Sequence, residues 1–161
     1  MSNETILKHL NTALQMEMTA AHQYQLHAHV LDDWGLDKLA EQMRGEFEEE
    51  LEHSNRFMER ILELDGDPEI AFAAKPLRAK TLKEMFSKDL GDEKEAIETY
   101  TEASKFAYEN NDLKTKALFE EIAIDEVGHM QWLDLQLDLM GRLGEQRYAN
   151  KYVSAGGDAE D

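Results

Sequence analysis

The chain contains no cysteine. Disulfides, thiolate metal sites and iron–sulfur clusters are therefore excluded, and a reducing compartment is permitted. Only two prolines and nine glycines occur in 161 residues, so little interrupts long helices. No apolar run approaches the roughly eighteen residues that a membrane-spanning helix needs. The opening Met1-Ser2-Asn3-Glu4 lacks a basic segment followed by an apolar one, so no signal peptide is expected and the cytoplasm is the expected location. Positive charge is also scarce. Seventeen lysines and arginines face 35 aspartates and glutamates, a formal charge of −18. That balance argues against nucleic acid or an anionic membrane as a partner and favours the attraction of cations.

What the chain does contain is one pattern twice. Glu17 lies thirty-three residues before Glu50, which opens Glu50-Leu51-Glu52-His53. Glu93 lies thirty-three residues before Glu126, which opens Glu126-Val127-Gly128-His129. A tyrosine follows each leading glutamate by seven residues, at Tyr24 and Tyr100. One Glu-x-x-His means little among 22 glutamates, and the acidic run Glu46–Glu52 would ordinarily be a solvated helix face. The matched leading glutamates and tyrosines make coincidence a poor account.

The apolar pattern is helical throughout. From Glu4 to Trp34 the inward stripe reads Leu10, Leu14, Glu17, Ala21, Tyr24, Ala28, Leu31, in alternating steps of four and three. Gly35 supplies the helix stop. A second stripe runs Leu39, Met43, Glu46, Glu50, His53, Phe57, Ile61, Leu64 and ends at Asp65-Gly66-Asp67-Pro68. Residues 65–80 are expected to form a crossover without regular structure. Thr81-Leu82-Lys83-Glu84 reads as a capping box for a third helix, with Leu82, Phe86, Asp89, Glu93, Ala96, Tyr100, Ala103 and Ala107 inward. After a turn at Asn110-Asn111-Asp112, the fourth helix presents Phe119, Ile122, Glu126, His129, Leu133 and Met140. Gly141 and Gly144 are expected to break it, and Glu145–Val153 to form a short fifth helix. The expectation is an all-α four-helix bundle with one long crossover between helices two and three. It forms one domain over residues 1–153, followed by a disordered acidic tail over 154–161.

Glutamate and histidine three residues apart share a helix face. With a glutamate from the neighbouring helix, each half collects Glu17 and His53, or Glu93 and His129, while Glu50 and Glu126 are placed to bridge. Four carboxylates balance two divalent ions, which suits a bundle interior. Oxygen-rich sites with one histidine per ion favour iron or manganese over structural zinc. Two adjacent ferrous ions can give two electrons to dioxygen or peroxide. Tyr24 is grouped with the six ligands as a reaction residue, either hydrogen-bonding a ligand carboxylate or donating an electron, with core packing as the bland alternative. Tyr100 is left open between the same readings. Trp34 and Trp132 read as packing residues. His9, His22, His27 and His29 lie outside the repeat and read as surface or interface residues. Gly128, mid-helix, suggests a close helix approach or a bulge. Glu46 and Glu49 are candidates for an acidic inner surface that gathers ferrous ions.

Asn11, Glu17, Gln23-Tyr24, Trp34-Gly35-Leu36, Glu50 with His53, Arg60-Ile61-Leu62, Asp89-Leu90, Asp125-Glu126, Gly128-His129 and Trp132-Leu133 together resemble the bacterioferritins, from about Ile6 to Tyr148. The resemblance implies a ferritin-like bundle and a 24-subunit cage built from dimers. It implies that Fe(II) is oxidised by O2 or H2O2 at a di-iron centre in each subunit and stored as ferric mineral. It gives Glu17, Glu50, His53, Glu93, Glu126 and His129 as the iron ligands. In that family the residue after the first bridging glutamate is a methionine, and two such methionines hold haem b. Here it is Leu51, which has no lone pair to offer, so haem is not expected in a homo-oligomer; assembly with a haem-binding subunit is the other arrangement the resemblance allows. The competing reading is a non-storage di-iron oxidoreductase or peroxidase of the erythrin kind. A third is a purely structural bundle.

Overall fold

The computed structural model describes residues 2–154, and nearly all of them are helical. Four long helices form two antiparallel hairpins: α1 (Ser2–Asp33) with α2 (Asp37–Glu63), and α3 (Leu82–Glu109) with α4 (Leu113–Leu143). A short α5 (Glu145–Ala149) and a 3-10 turn (Asn150–Tyr152) follow. This is the expected architecture. No helix among the described residues is long and apolar enough to cross a membrane.

Local chemistry sets the boundaries. Gly35 takes φ +81°, and the next N–H, of Leu36, bonds back to Leu31 O at 2.9 Å, so α1 ends in the left-handed conformation that glycine tolerates. Asn111 does the same work at φ 61° between α3 and α4, and Asp112 caps α4 by accepting from the Thr115 N–H. The capping box at α3 is half as expected: Thr81 accepts from Glu84 N, but the Glu84 carboxylate takes the N–H of Lys80 instead of returning to Thr81. Gly141 does not break α4. The helix runs on to Leu143 and stops at Gly144, φ +80°, because only there must the backbone turn. The fifth helix is shorter than Glu145–Val153 and tightens into the 3-10 turn. It docks through Tyr148, which is fully buried, donates to Gln136 Oε1 at 2.6 Å and meets Phe86 edge to face. Of the expected acidic tail, residues 155–161 lie outside the described residues, and Ser154 donates its N–H to Asp37 at 2.8 Å.

The interior is stacked in three layers. One end is apolar, built on Leu31, Leu39, Met43, Met85, Phe86 and Leu133. The other is apolar too, built on Leu10, Leu14, Phe57, Ile61, Phe119 and Ile122. Between them the inward positions of all four helices are Glu17, Glu50, His53, Glu93, Glu126 and His129, all buried. Trp34 and Trp132 pack against the first apolar layer, and Trp132 meets Phe86 edge to face.

The crossover has no regular structure, yet it is fastened. Its backbone groups need partners, and a row of α1 side chains spaced four residues apart supplies them. Asn11 accepts from Glu69 N at 2.8 Å, Thr19 accepts from Ala73 N at 2.8 Å, and the Gln23 amide both accepts from Leu77 N and donates to Leu77 O. Gln23 then fixes a residue that the sequence misassigned. His27 is not at the surface; it is fully buried, with Nε2 at 2.9 Å from Gln23 Nε2 and Nδ1 at 3.3 Å from Asp89. Because Gln23 Oε1 accepts from Leu77, its NH2 must donate to His27. The imidazole is thereby held with its proton on Nδ1, toward Asp89. Burial raises the Asp89 carboxyl, and His27 opposes that rise.

Candidate metal centre

Each helix delivers one or two groups because they occupy the turns where its apolar stripe crosses the middle of the bundle. Two overlapping sets result. Glu17, Glu50, His53 and Glu126 form one, and Glu50, Glu93, Glu126 and His129 the other. Within each set, one ligand atom per residue lies within 4.8 Å of all the others. Glu50 and Glu126 belong to both. The structure therefore brings together all six residues that the repeat singled out.

One atom on each of the six is buried without a partner at hydrogen-bonding geometry: Glu17 Oε2, Glu50 Oε1, His53 Nδ1, Glu93 Oε2, Glu126 Oε1 and His129 Nδ1. They are crowded nonetheless. His53 Nδ1 is 2.9 Å from Glu126 Oε1, and His129 Nδ1 is 3.2 Å from Glu50 Oε1. Buried polar atoms left this way are costly, and these six face one another as a set that could hold a cation; Glu46 Oε2, beside His129, is buried without a hydrogen-bond partner as well.

The carboxylates and imidazoles shift one another's proton affinities. Burial pushes Glu50 well up, and the neighbouring Glu17 and Glu126 carboxylates add to it. Burial likewise raises Glu93, and Glu126 beside it reinforces the shift. Glu126 goes down: burial would raise it, but Glu93, His129 and His53 outweigh that and keep it ionised. Burial alone would lower His53, yet the Glu126 and Glu17 carboxylates push it up to about 11. His129 is raised as well, with Glu126, Glu46, Glu50 and Glu93 overcoming its burial. Protons on the imidazoles and on the raised carboxyls thus offset the negative charge of the cluster.

Two tyrosines brace the centre crosswise. Tyr24, at the edge of one apolar layer, donates to Glu93 Oε1 at 2.5 Å. Tyr100, at the edge of the other, donates to Glu17 Oε1 at 2.7 Å. Each phenol therefore holds the leading glutamate of the opposite half, with that carboxylate's second oxygen left bare. Burial is the main cause that raises both phenols well above their ordinary range, so they remain donors.

Sequence reasoning named Glu46 and Glu49 as an acidic surface near the centre but missed that they and Asp125 stand behind the imidazoles. Asp125 Oδ2 is 3.0 Å from His53 Nε2, and Glu46 and Glu49 each place an oxygen 2.8 Å from His129 Nε2. Adjacency to the ligands was the available signal for Glu49 and Asp125, since each immediately precedes a bridging glutamate. Gly128 is exposed in a regular helix, and a Cβ there would meet nothing within 4 Å, so it marks neither a bulge nor a close approach within this chain. On the other side of the centre a cavity of about 160 Å³ opens beneath the crossover, among residues that include Tyr24, Lys75, Asp89, Glu93 and Tyr100.

A bundle of two helical hairpins around such a site defines a ferritin-like protein, and the family model described as a ferritin-like domain matches residues 7–143. Among known relatives, the Brucella melitensis bacterioferritin is 36% identical over 156 residues, covering 96% of each chain. The Rhodobacter capsulatus bacterioferritin is 38% identical over 145 residues, covering 89% of each. Its solved structure, described as having a metal-free dinuclear site and haem iron on a crystallographic special position, superposes with a TM-score of 0.93 at 34% identity, over 97% of this chain and 98% of that one. The Mycobacterium tuberculosis bacterioferritin structure gives a TM-score of 0.90 at 35% identity, over 93% and 94%. The chain belongs to the bacterioferritin family.

Proposed function

We propose that this protein is a ferroxidase and iron-storage subunit. Fe(II) is oxidised at a pair of sites in the bundle and kept as ferric mineral in a cage of identical chains. The observation that carries this reading is the set of six buried, unpartnered donor atoms. Glu17 and His53 would hold one ion, Glu93 and His129 the other, and Glu50 and Glu126 both. Two ferrous ions side by side supply the two electrons that dioxygen or peroxide takes up.

The chain's own residues do the rest. The four carboxylates offer −4 to two divalent cations, so loading replaces protons with metal and leaves a near-neutral interior. Protons released by His53, His129, Glu50 and Glu93 leave as the ions enter. Tyr24 and Tyr100 keep Glu93 and Glu17 aimed inward. Glu49 and Asp125 fix the imidazole orientation from behind, and Glu46 places its charge beside His129. The cavity beneath the crossover is large enough for water, dioxygen or peroxide.

Assembly is supported by exposed apolar side chains, Ile70, Phe72 and Leu77 on the crossover and Ile124 and Leu135 on α4. A cage of twenty-four built from dimers is the arrangement proposed. Haem does not fit this chain alone. Leu51 stands where the resemblance requires methionine, and its partly buried hydrocarbon side chain ligates nothing. The homo-oligomer is expected to lack a Soret band.

The experiment is Fe(II) loading with oxidant, read together with particle mass by light scattering. Rapid oxidation of two ions per chain, followed by accumulation well beyond two in a large particle, is the expected result. Oxidation that stops at two ions per chain in a small oligomer would replace storage with the erythrin-like oxidoreductase.

A further inference from the structure

The two halves of the centre repeat residue for residue through Glu17 and Glu93, Tyr24 and Tyr100, Glu50 and Glu126, His53 and His129. One turn earlier the repeat breaks. Four residues before Glu50 stands Glu46, and four before Glu126 stands Ile122. A turn further back Gln42 is matched by Leu118.

The break reaches the metal ligands. Gln42 Nε2 donates to Glu46 Oε1 at 3.0 Å, and the other oxygen, Oε2, lies 2.8 Å from His129 Nε2 as an ion-pair contact outside hydrogen-bonding geometry. The hydrogen bond from that nitrogen goes to Glu49 Oε2 at 2.8 Å. His53 has less behind it: Asp125 at 3.0 Å, and Glu49 only at 4.0 Å. Ile122 is fully buried in the apolar layer with Phe57 and Phe119 and offers no charge.

Glu49 accepts the outer N–H of His129 and Asp125 that of His53, which fixes each tautomer with its free lone pair on the metal side, so this bond does not distinguish the halves. Glu46 differs from them by its charge, which lies 2.8 Å from His129 Nε2 and is felt more strongly because solvent is excluded there. Glu49 and Asp125 have side chains 43% exposed and are screened, whereas the Glu46 side chain is 11% exposed. The one poorly screened extra carboxylate therefore belongs to the His129 half.

We propose that the two metal positions are unequal, that the Glu93–His129 position fills first, and that Glu46 is the positioning residue that sets this order. The inference rests on the six residues being the metal ligands. The first ion then draws Glu50 and Glu126 into place. The second, held by Glu17 and His53, is the one that exchanges with the surroundings, so the centre has a resident side and a turnover side.

The test is titration of the metal-free full-length protein with cobalt(II), followed by calorimetry and visible absorption. Wild type should bind two ions per chain in two steps, the first at least about 10-fold tighter. Glu46→Gln, which keeps the shape, and Glu46→Ile, which copies the other half, should weaken the first step by about 10- to 100-fold and merge the two. His129→Ala should remove the tight step and His53→Ala the weak one. Two equal steps in wild type, an unchanged tight step in both Glu46 variants, or loss of the tight step in His53→Ala would each overturn the order while leaving the centre in place. Fewer than two ions per wild-type chain, or binding indifferent to both histidine variants, would remove the centre itself and the order with it.

Discussion

The layer around Phe57, Tyr100 and Phe119 and the layer around Glu50 and Glu126 are successive turns of the same four helices, yet they obey opposite rules. In the first, Phe119 meets Phe57 at 5.3 Å and Tyr100 at 5.8 Å between ring centroids, and each buried ring stabilises the fold by about 1.5–3 kcal/mol. In the second, like charges face each other in a low dielectric and oppose folding until protons or cations intervene. Stability is concentrated at the ends of the bundle so that its middle can be kept unfavourable. A site meant to take up cations has to remain unsatisfied without them.

Four changes would break or sharpen that contrast. Phe119→Ala should lower unfolding free energy by about 3–5 kcal/mol in denaturant titrations while the folded fraction still takes up two metal ions per chain. A loss below about 1 kcal/mol would mean that the ends do not carry the fold. Next, Glu50→Ala and Glu126→Ala should each slow iron oxidation about 100-fold or more, because each removes a ligand shared by both ions. The metal-free melting temperature should stay level or rise for Glu50→Ala, whose carboxyl burial raises, and fall for Glu126→Ala, which strips His53 and His129 of their ion-pair partner; the reverse order would overturn the contrast.

The third change is pH. His53 is pushed from 6.5 up to about 11 in the folded metal-free chain. A raised folded value contributes stability that is fully present below about pH 6.5 and fades as pH climbs toward 11. Glu50 and Glu93, also raised, act in the same direction. Metal-free protein compared with His53→Gln should show an advantage at pH 6 that shrinks by pH 9.5, measured by denaturant midpoints under chelation. An advantage that grows with pH would reverse the assignment. Smallest of all, Thr81→Ala should cost about 1 kcal/mol through the lost cap on α3 and leave metal uptake untouched.

Sequence disclosed the features that periodicity governs. Glu17, Tyr24 and Glu93 stood out because they interrupt apolar rows, and the thirty-three-residue repeat paired them with Glu50 and Glu126. It was silent where partners come from elsewhere in the chain. His27 has no periodic signature, and its burial depends on Asp89 from α3 and on a glutamine occupied by the crossover. Asp89 lay on an inward stripe, but nothing local named its partner. The row Asn11, Gln15, Thr19, Gln23 looks like an ordinary polar helix edge until the crossover lies along it. Gly141 misled because a glycine inside a helix and a glycine that ends one look alike in sequence.

Neither hairpin by itself contains a complete set of the groups that could hold a metal ion. The set with Glu17, Glu50 and His53 still needs Glu126 from α4, and the set with Glu93 and His129 needs Glu50 from α2. During synthesis from the N-terminus, the first hairpin emerges with three of its ligands long before the fourth exists. On the proposed ligand assignment, a ribosome-bound first hairpin would be a poor trap for ferrous ions, and iron chemistry would be deferred until translation has passed α4 and the two halves of the polypeptide have docked.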